Sequence, residues 1–563
     1  MLNKKILSLS IIGLSLVAAV LVMKFNKSGV TVTSLNDIYV NDDKYNSIIS
    51  SYQMSDAALT TEIQFNDEPL IYDSDTNTFY YSVIENSETG FNPSVMVGAT
   101  SLENEDGAQD SEETTPTYSI FAHGAAITDE LIASNGAIQI ILTNGANVSV
   151  SNLVCTTLPV MNVTLDDETV ASLGLDDTYD IISFAPSSVY VYDNRADFDG
   201  VSRVTTSDAK IRRHGQSTAG YPLKGYRFSL LADKNDFDGE KVKANILGLR
   251  EDDDWILSAS YRDYEKVRNV FSMNLWYESC TKENEWEVNN STQYKFIELF
   301  FNGHYHGLYA ICYRIDQKEL KTNENESTFK KKDWTLSELD TQLTYQEYED
   351  GTGTYLLPGY SLKAGDADDY NTLLTLYMNM NYSADPNIVR MTSDVDNSID
   401  LWLFYKLTQA VDNVYGGNAK NMYVSIKESD TGITGYKLLF TPWDMDQTWR
   451  YTSPSVVGQY SMPEYDLPLE WGTVYRLQCL GDATINEEIK ARYAELRSGA
   501  WSDESIMAML DEYESDIYDS GAFARTQAKF MEGSYNESSL KLSEFKAYVQ
   551  ARLNCMDAYV NAL

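Results

Sequence analysis

The sequence predicts an α+β fold, with strands concentrated in the first half of the chain and helices in the second. Runs rich in β-branched and aromatic residues, such as 79–84 and 137–142, are bounded by Asn, Gly and Asp and predict strands. The tail from about 483 to 560 is dominated by Ala, Glu, Lys and Leu, which favour helix. Because strand–helix–strand alternation is rare along the chain, a parallel α/β sheet is disfavoured.

The strand-rich stretch 30–155 predicts a small accessory domain, with a β-sandwich as its expected form. Between its strands, residues 103–115 are acidic and rich in Ser, Thr and Gly, which is typical of a long surface loop. The remainder, 156–563, is expected to form the main domain. In this part the sequence predicts strands at 160–165 and 188–192 and helices at 264–279 and 397–411, from the period of their apolar residues.

The N-terminus predicts an export segment over residues 1–29. Lys4 and Lys5 precede an apolar run from Ile6 to Met23, which is long for a signal peptide and just long enough to span a bilayer. An uncleaved signal anchor and a cleaved signal peptide both fit this pattern. In either case we expect the rest of the chain to be extracellular, with membrane contact only through this segment.

Charge and cysteine content exclude several classes of function. The formal net charge of −41 makes nucleic acid a poor partner, because a polyanion binder needs a basic stripe. The cysteines contain no CxxC pair, which argues against a zinc site or a disulfide scaffold, although one disulfide remains open. They are Cys155, Cys280, Cys312, Cys479 and Cys555.

The strongest chemical pattern lies in residues 412–446. Runs 422–426 and 436–441 predict two strands joined by a turn at 430–432, which would form a hairpin. The residue before the first strand and those after the second would then meet at one end. This hairpin mouth would gather Asn421, Asp444 and Asp446, with Asp412 on the loop just upstream.

Carboxylate and amide oxygens are hard ligands suited to Mg²⁺ or Mn²⁺. Phosphoryl transfer needs such metal-holding groups and a further Asp to position the attacking hydroxyl. The order Asp, Asn, hairpin, Asp is also that of protein kinases, although nine positions separate Asp412 from Asn421 here. The alternative interpretation is that these residues are ordinary turn and capping residues.

A second candidate is the polar loop within 211–220, which is followed by a lysine and a predicted strand. Backbone amides around Gly215, Gln216 and Ser217 could face phosphate, and Lys224 could neutralise its oxygens. The alternative is a plain turn beside a solvated lysine. Two histidines of another predicted hairpin, His304 and His306, could form a metal pair, although a polar turn is the simpler interpretation.

At these residues the sequence resembles the CotH (spore coat protein H) kinase family. The likeness spans roughly 158–560 in family order. The segments that carry it are 214–224 (H-G-Q-S-T and a following Lys), 245–269 (N-I-L-G-L, D-D-W-I-L and R-N), 297–309 (I-E-L-F-F-N-G and G-L-Y), 412–423 (D and N-M-Y) and 442–446 (P-W-D-M-D).

The resemblance implies an atypical protein-kinase-like fold with a helical C-terminal part, and transfer of the ATP γ-phosphate to Ser or Thr of a protein. It implies Mg²⁺ or Mn²⁺ as the metal, with Asp444 as its principal ligand and Asn421 and Asp446 in support. Asp412 would be the catalytic base. Lys224 would pair the phosphates, beside nucleotide contacts from Gly215, Gln216, Ser217 and Arg268.

Some positions depart from the family pattern. His214 and Gln216 stand where the family has Arg and Asn, and Tyr313 stands where it often has Glu. Because neutral histidine carries little charge, contacts near the nucleotide are in question. Neither change touches Asp412 or Asp444, so an active enzyme remains the leading interpretation. The N-terminal segment, the strand-rich region 30–155 and the abundant Tyr suggest the alternative, a catalytically inactive, kinase-like module that binds partners at the cell surface. A glycosidase with paired carboxylates is a more remote one.

Overall fold

The computed structural model describes residues 32–84, 91–98, 118–215, 217–263, 265–332, 359–366, 368–449, 462–530 and 542–563. Helix accounts for 31% and strand for 30%, which confirms the α+β class. The export segment 1–29, the loop 103–115 and Gln216 lie outside the described residues. Within the described part of the chain, no helix combines the length and the apolar character that crossing a bilayer requires.

The N-terminal region consists of two sheets that share one apolar core. One sheet has the order β1-β7-β3-β4 and the other β5-β6-β10-β9-β8, with β2 added to β10. Phe65, Phe79 and Ile140 lie in their common core, as expected for a sandwich. The described elements are β1 (Thr33–Ser34), α1 (Asp42–Ser51), β2 (Gln53–Met54), β3 (Ile63–Phe65), β4 (Glu68–Pro69), β5 (Ile71–Asp73), β6 (Thr78–Ser82), β7 (Ser94–Val97), β8 (Ser119–His123), α2 (Asp129–Ala133), β9 (Ala137–Asn144) and β10 (Asn147–Thr156).

A closed barrel follows, with the strand order β11-β12-β13-β14-β15-β17-β16. Side chains alternate across its wall, so that Tyr226, Phe228 and Leu230 fill the interior while Arg227 faces outward. Its elements are β11 (Val160–Thr164), α3 (Asp167–Leu173), β12 (Ala185–Tyr192), β13 (Val204–His214), β14 (Gly225–Leu231), β15 (Asp254–Ser258), α4 (Arg268–Ser279), β16 (Tyr294–Phe301) and β17 (His304–Tyr313).

The C-terminal part sets a small sheet, of order β19-β18-β22-β23, against a helical bundle. The strands are β18 (Ser327–Lys331), β19 (Tyr360–Ala364), β20 (Val414–Tyr415), β21 (Asn418–Ala419), β22 (Met422–Ile433) and β23 (Tyr436–Pro442). The helices are α5 (Asp369–Tyr382), α6 (Pro386–Arg390), α7 (Val395–Thr408), α8 (Gly472–Leu480), α9 (Ile485–Ser498), α10 (Asp503–Glu514), α11 (Ala522–Phe530) and α12 (Ser543–Asn561).

Helix α7 fixes the β22–β23 hairpin. The Asp394 side chain caps the helix by accepting from the Asn397 backbone N–H at 2.9 Å. The Asn397 amide then exchanges two hydrogen bonds with the Phe440 backbone, at 2.8 and 3.0 Å, so that β23 is tied to the first turn of the helix. Because Asn397 is fully buried, this pair leaves the hairpin little freedom to slide.

The N-terminal region packs directly on the barrel. An apolar cluster joins Ile71 and Tyr80 of the first to Phe300 and Tyr305 of the second. β10 ends at Thr156 and β11 begins at Val160, close to the expected boundary; the division into domains 30–155 and 156–563 itself stays a prediction.

Several local expectations need correction. The turn expected at 430–432 is wrong, because β22 continues through a bulge to Ile433 and the chain reverses at Thr434 and Gly435, with φ of 59° and 84°. The first predicted helix begins later than expected, at Arg268. The second ends earlier than expected, at Thr408, because Gln409 adopts a left-handed conformation. The five cysteines are all free thiols, so the disulfide that the sequence left open does not form.

Candidate active site

The hairpin mouth forms as the sequence predicts. Met422 pairs with Pro442 as the last register position, and the Trp443 N–H donates to the Asn421 carbonyl at 3.1 Å. A buried asparagine closes the mouth from behind, since the Asn413 amide donates to the carbonyls of Asn421 and Trp443 at 3.0 and 2.8 Å. Asn421 and Asp444 therefore stand on adjacent, fixed segments.

Both mouth residues adopt unusual backbone conformations. Asn421 has φ of 52° and Asp444 has φ of 59°, in the left-handed region that non-glycine residues enter at some cost. Such conformations persist where the surroundings impose them, and they are enriched at functional sites. Here they occur on the two neighbouring segments that meet at the hairpin end.

The Asp412 carboxylate is held in place from two directions. One oxygen accepts from the Asn421 amide at 3.1 Å, and the other lies 2.8 Å from the Lys420 ammonium. The Asn421 amide also donates to the Asp412 carbonyl at 3.2 Å. About a third of the Asp412 side chain remains exposed, at 34%, so the carboxylate is oriented yet reachable by a substrate.

Asp444 and Asp446 carry raised pKa values. The Asp444 side chain is exposed on one side, and the protein that surrounds it elsewhere removes part of its hydration. This desolvation raises the pKa of Asp444; Asp412 adds to the rise, while Lys330 and Lys420 oppose it. The pKa of Asp446 lies well above its usual range, first through desolvation and then through the charges of Asp444 and Asp412. Carboxylates crowded in this way are what a divalent cation stabilises.

The three carboxylates do not form one tight cluster. Among the described residues, the group of three ligands whose atoms all lie within 4.8 Å of one another is found elsewhere, at Asp73, Asp75 and His304. The ligand atoms of Asp412, Asp444 and Asp446 therefore do not all lie within 4.8 Å of one another. This does not argue against Mg²⁺, which commonly binds one or two protein carboxylates and takes its other ligands from water and phosphate.

Helix α4 supports the loop that carries Asp444 and Asp446. The Asn269 side-chain oxygen, Oδ1, accepts from the backbone N–H of Met445 at 2.9 Å, and Met445 lies between Asp444 and Asp446 in the sequence. Arg268, expected to contact nucleotide, is 4% exposed and is engaged by Asp263 and by Glu265, the latter at 2.5 Å. Its position makes Arg268 a support behind the loop.

Lys330 on β18 is the lysine that the structure brings to the hairpin mouth. It pairs with Tyr423 across the strands, and its ammonium lies 5.0 Å from the centroid of Trp443, next to Asp444 in sequence. Desolvation lowers the pKa of Lys330 to about 8; Asp444 opposes this shift, while Lys332 and Arg314 contribute to it. This ammonium can meet anionic oxygens at the edge of a metal site.

The wall of the barrel carries a group of basic side chains. Arg212 and Arg227 are direct cross-strand partners, and both pack on the Phe184 ring, at 4.9 and 5.8 Å. Like charges placed opposite one another are unfavourable without a counterion. Asp254 supplies part of the compensation, 3.1 Å from Arg314 and 3.6 Å from Arg227.

The same charges act on a lysine of the small C-terminal sheet, Lys363 of β19. Desolvation lowers the pKa of Lys363 to about 8, and Lys332, Lys330, Arg314 and Arg227 add to the shift. We define the basic face as Arg212, Arg227, Arg314, Lys330, Lys332 and Lys363. In a chain of net charge −41 such a concentration of Arg and Lys favours the binding of an anion, and several cations together suit a polyphosphate.

His214 borders this face without adding charge. Desolvation lowers its pKa to about 4, and Lys330, Arg227, Arg212 and Arg314 push it in the same direction. The imidazole is therefore neutral at physiological pH, as the departure from the family's Arg suggested. Gly215 follows immediately, with φ of 109°, and Ser217 begins a short 3₁₀ turn, so the expected loop starts at the edge of the basic face.

Lys224 is not brought to the acidic group. Its ammonium donates to the Tyr221 carbonyl at 2.9 Å, and its charge acts on His306 and Asp176. The cations that shift the pKa of Asp444 are Lys330 and Lys420. The sequence did hold a signal for Lys330, since it opens a Lys-Lys-Lys run in a strongly acidic chain.

The sequence matches the family described as CotH kinase protein over residues 211–556, which is more than half of the chain. This chain belongs to the CotH kinase family. The matched span contains every residue of the hairpin mouth and of the basic face. It begins within β13, so the first two barrel strands and the N-terminal region precede it. No curated protein matches the sequence.

Proposed function

We propose that the protein transfers the γ-phosphate of ATP to Ser or Thr side chains of extracellular or cell-surface proteins. Membership of a kinase-like family supports the reaction class. The observation that carries the proposal is the hairpin mouth, where two carboxylates with raised pKa values and an oriented third face a basic surface. Export would depend on residues 1–29, whose composition alone supports it.

Each group has a role in this reaction. Asp444 and Asp446, with Asn421 beside them, fit Mg²⁺ or Mn²⁺, and the bound ion would neutralise charge on the phosphates. Lys330 and the arginines of the basic face would hold the phosphate chain. Asp412 would accept the proton of the Ser or Thr hydroxyl. The hydroxyl oxygen would then bond to the γ-phosphorus while the bond from that phosphorus to the β–γ bridging oxygen breaks, which releases ADP.

Lys330 replaces Lys224 in this proposal because of where each ammonium lies. Lys330 acts on Asp444 and rests on the Trp443 ring. Lys224 belongs to the barrel end near His306.

The test is transfer of radiolabelled phosphate from ATP to protein, with Mg²⁺ or Mn²⁺, by the full chain. Asp412→Ala and Asp444→Ala should each abolish transfer. Asp430→Ala, at the opposite end of the same hairpin and exposed, is the matched control and should retain it. Metal-dependent transfer that survives in Asp444→Ala contradicts the proposal. Metal-dependent ATP binding without transfer by the wild type would favour the inactive binding module instead.

A further inference from the structure

A second polar group lies far from the hairpin mouth, where the N-terminal region meets the barrel. The β16–β17 hairpin turns at Asn302 and Gly303, with φ of 50° and 83°. A Cβ atom at Gly303 would lie 2.5 Å from the Tyr72 carbonyl oxygen, so only glycine allows this approach. The contact sets His304 against Asp73, the last residue of β5.

Three side chains converge at this junction. The His304 Nδ1 atom lies 3.2 Å from Asp73 Oδ1 and 3.1 Å from Asp75 Oδ2. The three atoms lie within 4.8 Å of one another. The Asp73 side chain is 4% exposed and the Asp75 side chain 74%, so the group is closed on the protein side and open to solvent on the other.

Proton counting leaves this arrangement incomplete. The Nδ1 atom of an imidazole carries at most one proton, and can donate a well-aligned hydrogen bond to one oxygen only. It nevertheless faces carboxylate oxygens from two residues. The Asp73 carboxylate has other partners, since its Oδ1 accepts from the Asp75 N–H at 3.0 Å and its Oδ2 from the Tyr305 N–H at 3.1 Å. The Asp75 carboxylate approaches the same nitrogen although its side chain is largely exposed.

We propose that Asp73, Asp75 and His304 bind a divalent transition-metal ion of the Zn²⁺ or Mn²⁺ class. Such an ion takes one lone pair from each ligand and removes the mismatch between one proton and two carboxylates. The mixed nitrogen and oxygen set favours these ions over Ca²⁺ and Mg²⁺, which prefer oxygen alone. Solvent completes the coordination on the open side.

The ligands come from two parts of the molecule, which indicates what the ion does. Asp73 and Asp75 belong to the N-terminal region and His304 to the barrel hairpin, so binding ties one to the other. The site is independent of phosphoryl transfer. It also revises the sequence interpretation of this hairpin, because His306 does not join His304 but lies fully buried, with its Nε2 3.1 Å from the Tyr226 hydroxyl.

The experiment is a calorimetric titration of the full-length chain with Zn²⁺ in excess Mg²⁺, which occupies oxygen-only sites. The wild type should bind one Zn²⁺ at this site and unfold at a higher temperature when it is bound. His304→Gln and Asp75→Asn should each raise the dissociation constant for Zn²⁺ by more than about tenfold. Asp75→Asn changes an exposed side chain, so its fold is expected to be intact, and circular dichroism checks this.

His123→Gln is the matched control, because His123 also pairs with a carboxylate, that of Asp42 at 2.9 Å, but with one only. It should bind Zn²⁺ as the wild type does. The proposal is overturned if the wild type binds no Zn²⁺, if His304→Gln and Asp75→Asn bind it unchanged, or if Ca²⁺ binds equally well. These outcomes say nothing for or against phosphoryl transfer, which the Asp444 variant tests separately.

Discussion

Two aspartate groups in this protein have opposite electrostatics. Asp253 directly precedes β15 and Asp254 begins it, and both have lowered pKa values, because hydrogen bonds and ion pairs outweigh the desolvation that acts against them. Asp444 and Asp446 follow β23 and have raised pKa values, because desolvation and mutual repulsion outweigh the nearby lysines. The residue type is the same, but the partners differ: direct ion pairs and a hydroxyl donor surround the first group, whereas neighbouring carboxylates act on the second.

The difference distinguishes a structural charge network from a ligand site. Lys241 and Lys318 each lie 2.7 Å from the Asp253 carboxylate, which leaves no charge for a ligand to satisfy. At the hairpin mouth the protein holds carboxylates in an arrangement that is unfavourable on its own. Proteins keep such arrangements where a bound group compensates for them, and at functional sites in particular.

The largest expected effect separates the two groups by activity. Asp444→Asn should lower the rate of phosphoryl transfer by at least about a thousandfold, since it removes a charge that would hold the metal against the transferred phosphate. Asp253→Asn should leave the rate of the folded protein within a few-fold of the wild type. Initial rates with radiolabelled ATP measure both. Comparable losses in the two variants would erase the proposed distinction.

The second effect separates them by stability. Asp254→Ala should lower the free energy of unfolding by about 3 kcal/mol, because it leaves Arg227 and Arg314 without their shared partner. Asp444→Asn should not destabilise the metal-free protein. Urea denaturation in EDTA measures both variants. A loss of stability in Asp444→Asn as large as that in Asp254→Ala would show that the mouth carboxylates are structural.

The third effect sharpens the assignment of the phosphate-binding lysine. Lys330→Met should weaken ATP binding by about thirtyfold, which corresponds to the roughly 2 kcal/mol of a charge-assisted hydrogen bond. Lys224→Met is the matched control and should bind ATP as the wild type does. Equilibrium binding of labelled ATP in Mg²⁺ measures the two constants. The reverse outcome, with Lys224 dominant, would restore the interpretation based on sequence.

The smallest effect is a difference in pH dependence. Asp444 and Asp446 have raised pKa values in the folded state, so the unfolded chain releases these protons first as pH rises above the usual pKa of 3.8. Their ionisation therefore lowers the free energy of unfolding of the protein as pH rises. The Asp444→Asn/Asp446→Asn double variant should therefore be somewhat more stable than the wild type at pH 7 in EDTA, by a small amount because Asp444 is exposed and its charge is screened by solvent. Asp254 acts oppositely: its stabilisation is present above pH 3.8 and is lost as pH falls.

Urea midpoints at pH 4 and pH 7 provide this comparison. Mg²⁺ should reduce the difference between the wild type and the double variant, because the ion stabilises the charged carboxylates. A gain that is unaffected by Mg²⁺ at every concentration would count against a cation at the mouth.

The parts of the site that depend on local pattern could be predicted from the sequence. The 422–441 hairpin follows from strand residues on both sides of a turn, and its mouth follows from antiparallel pairing, so Asn421, Asp444 and Asp446 were placed together correctly. The turn was placed too early because Asp430, Thr431 and Gly432 have strong turn chemistry, which the bulged strand overrides.

The parts that depend on distant pairing could not be predicted in the same way. Lys330 reaches the mouth because β18 pairs with β22, which is far away in sequence, and no local pattern specifies that pairing. The position of Lys224 after a glycine-containing loop predicts a phosphate contact. Lys224 lies just before β14, in phase with Tyr226 and Phe228, which fill the barrel, whereas Arg227 faces outward.

The most direct test of the central claim is Mn²⁺ binding, followed by electron paramagnetic resonance in the presence of a non-hydrolysable ATP analogue. In the wild type, Mn²⁺ and the analogue should strengthen each other's binding, because the ion satisfies the mouth carboxylates while the basic face holds the phosphates. In Asp444→Asn this mutual dependence should disappear. Equal coupling of metal and nucleotide in both proteins would contradict the account.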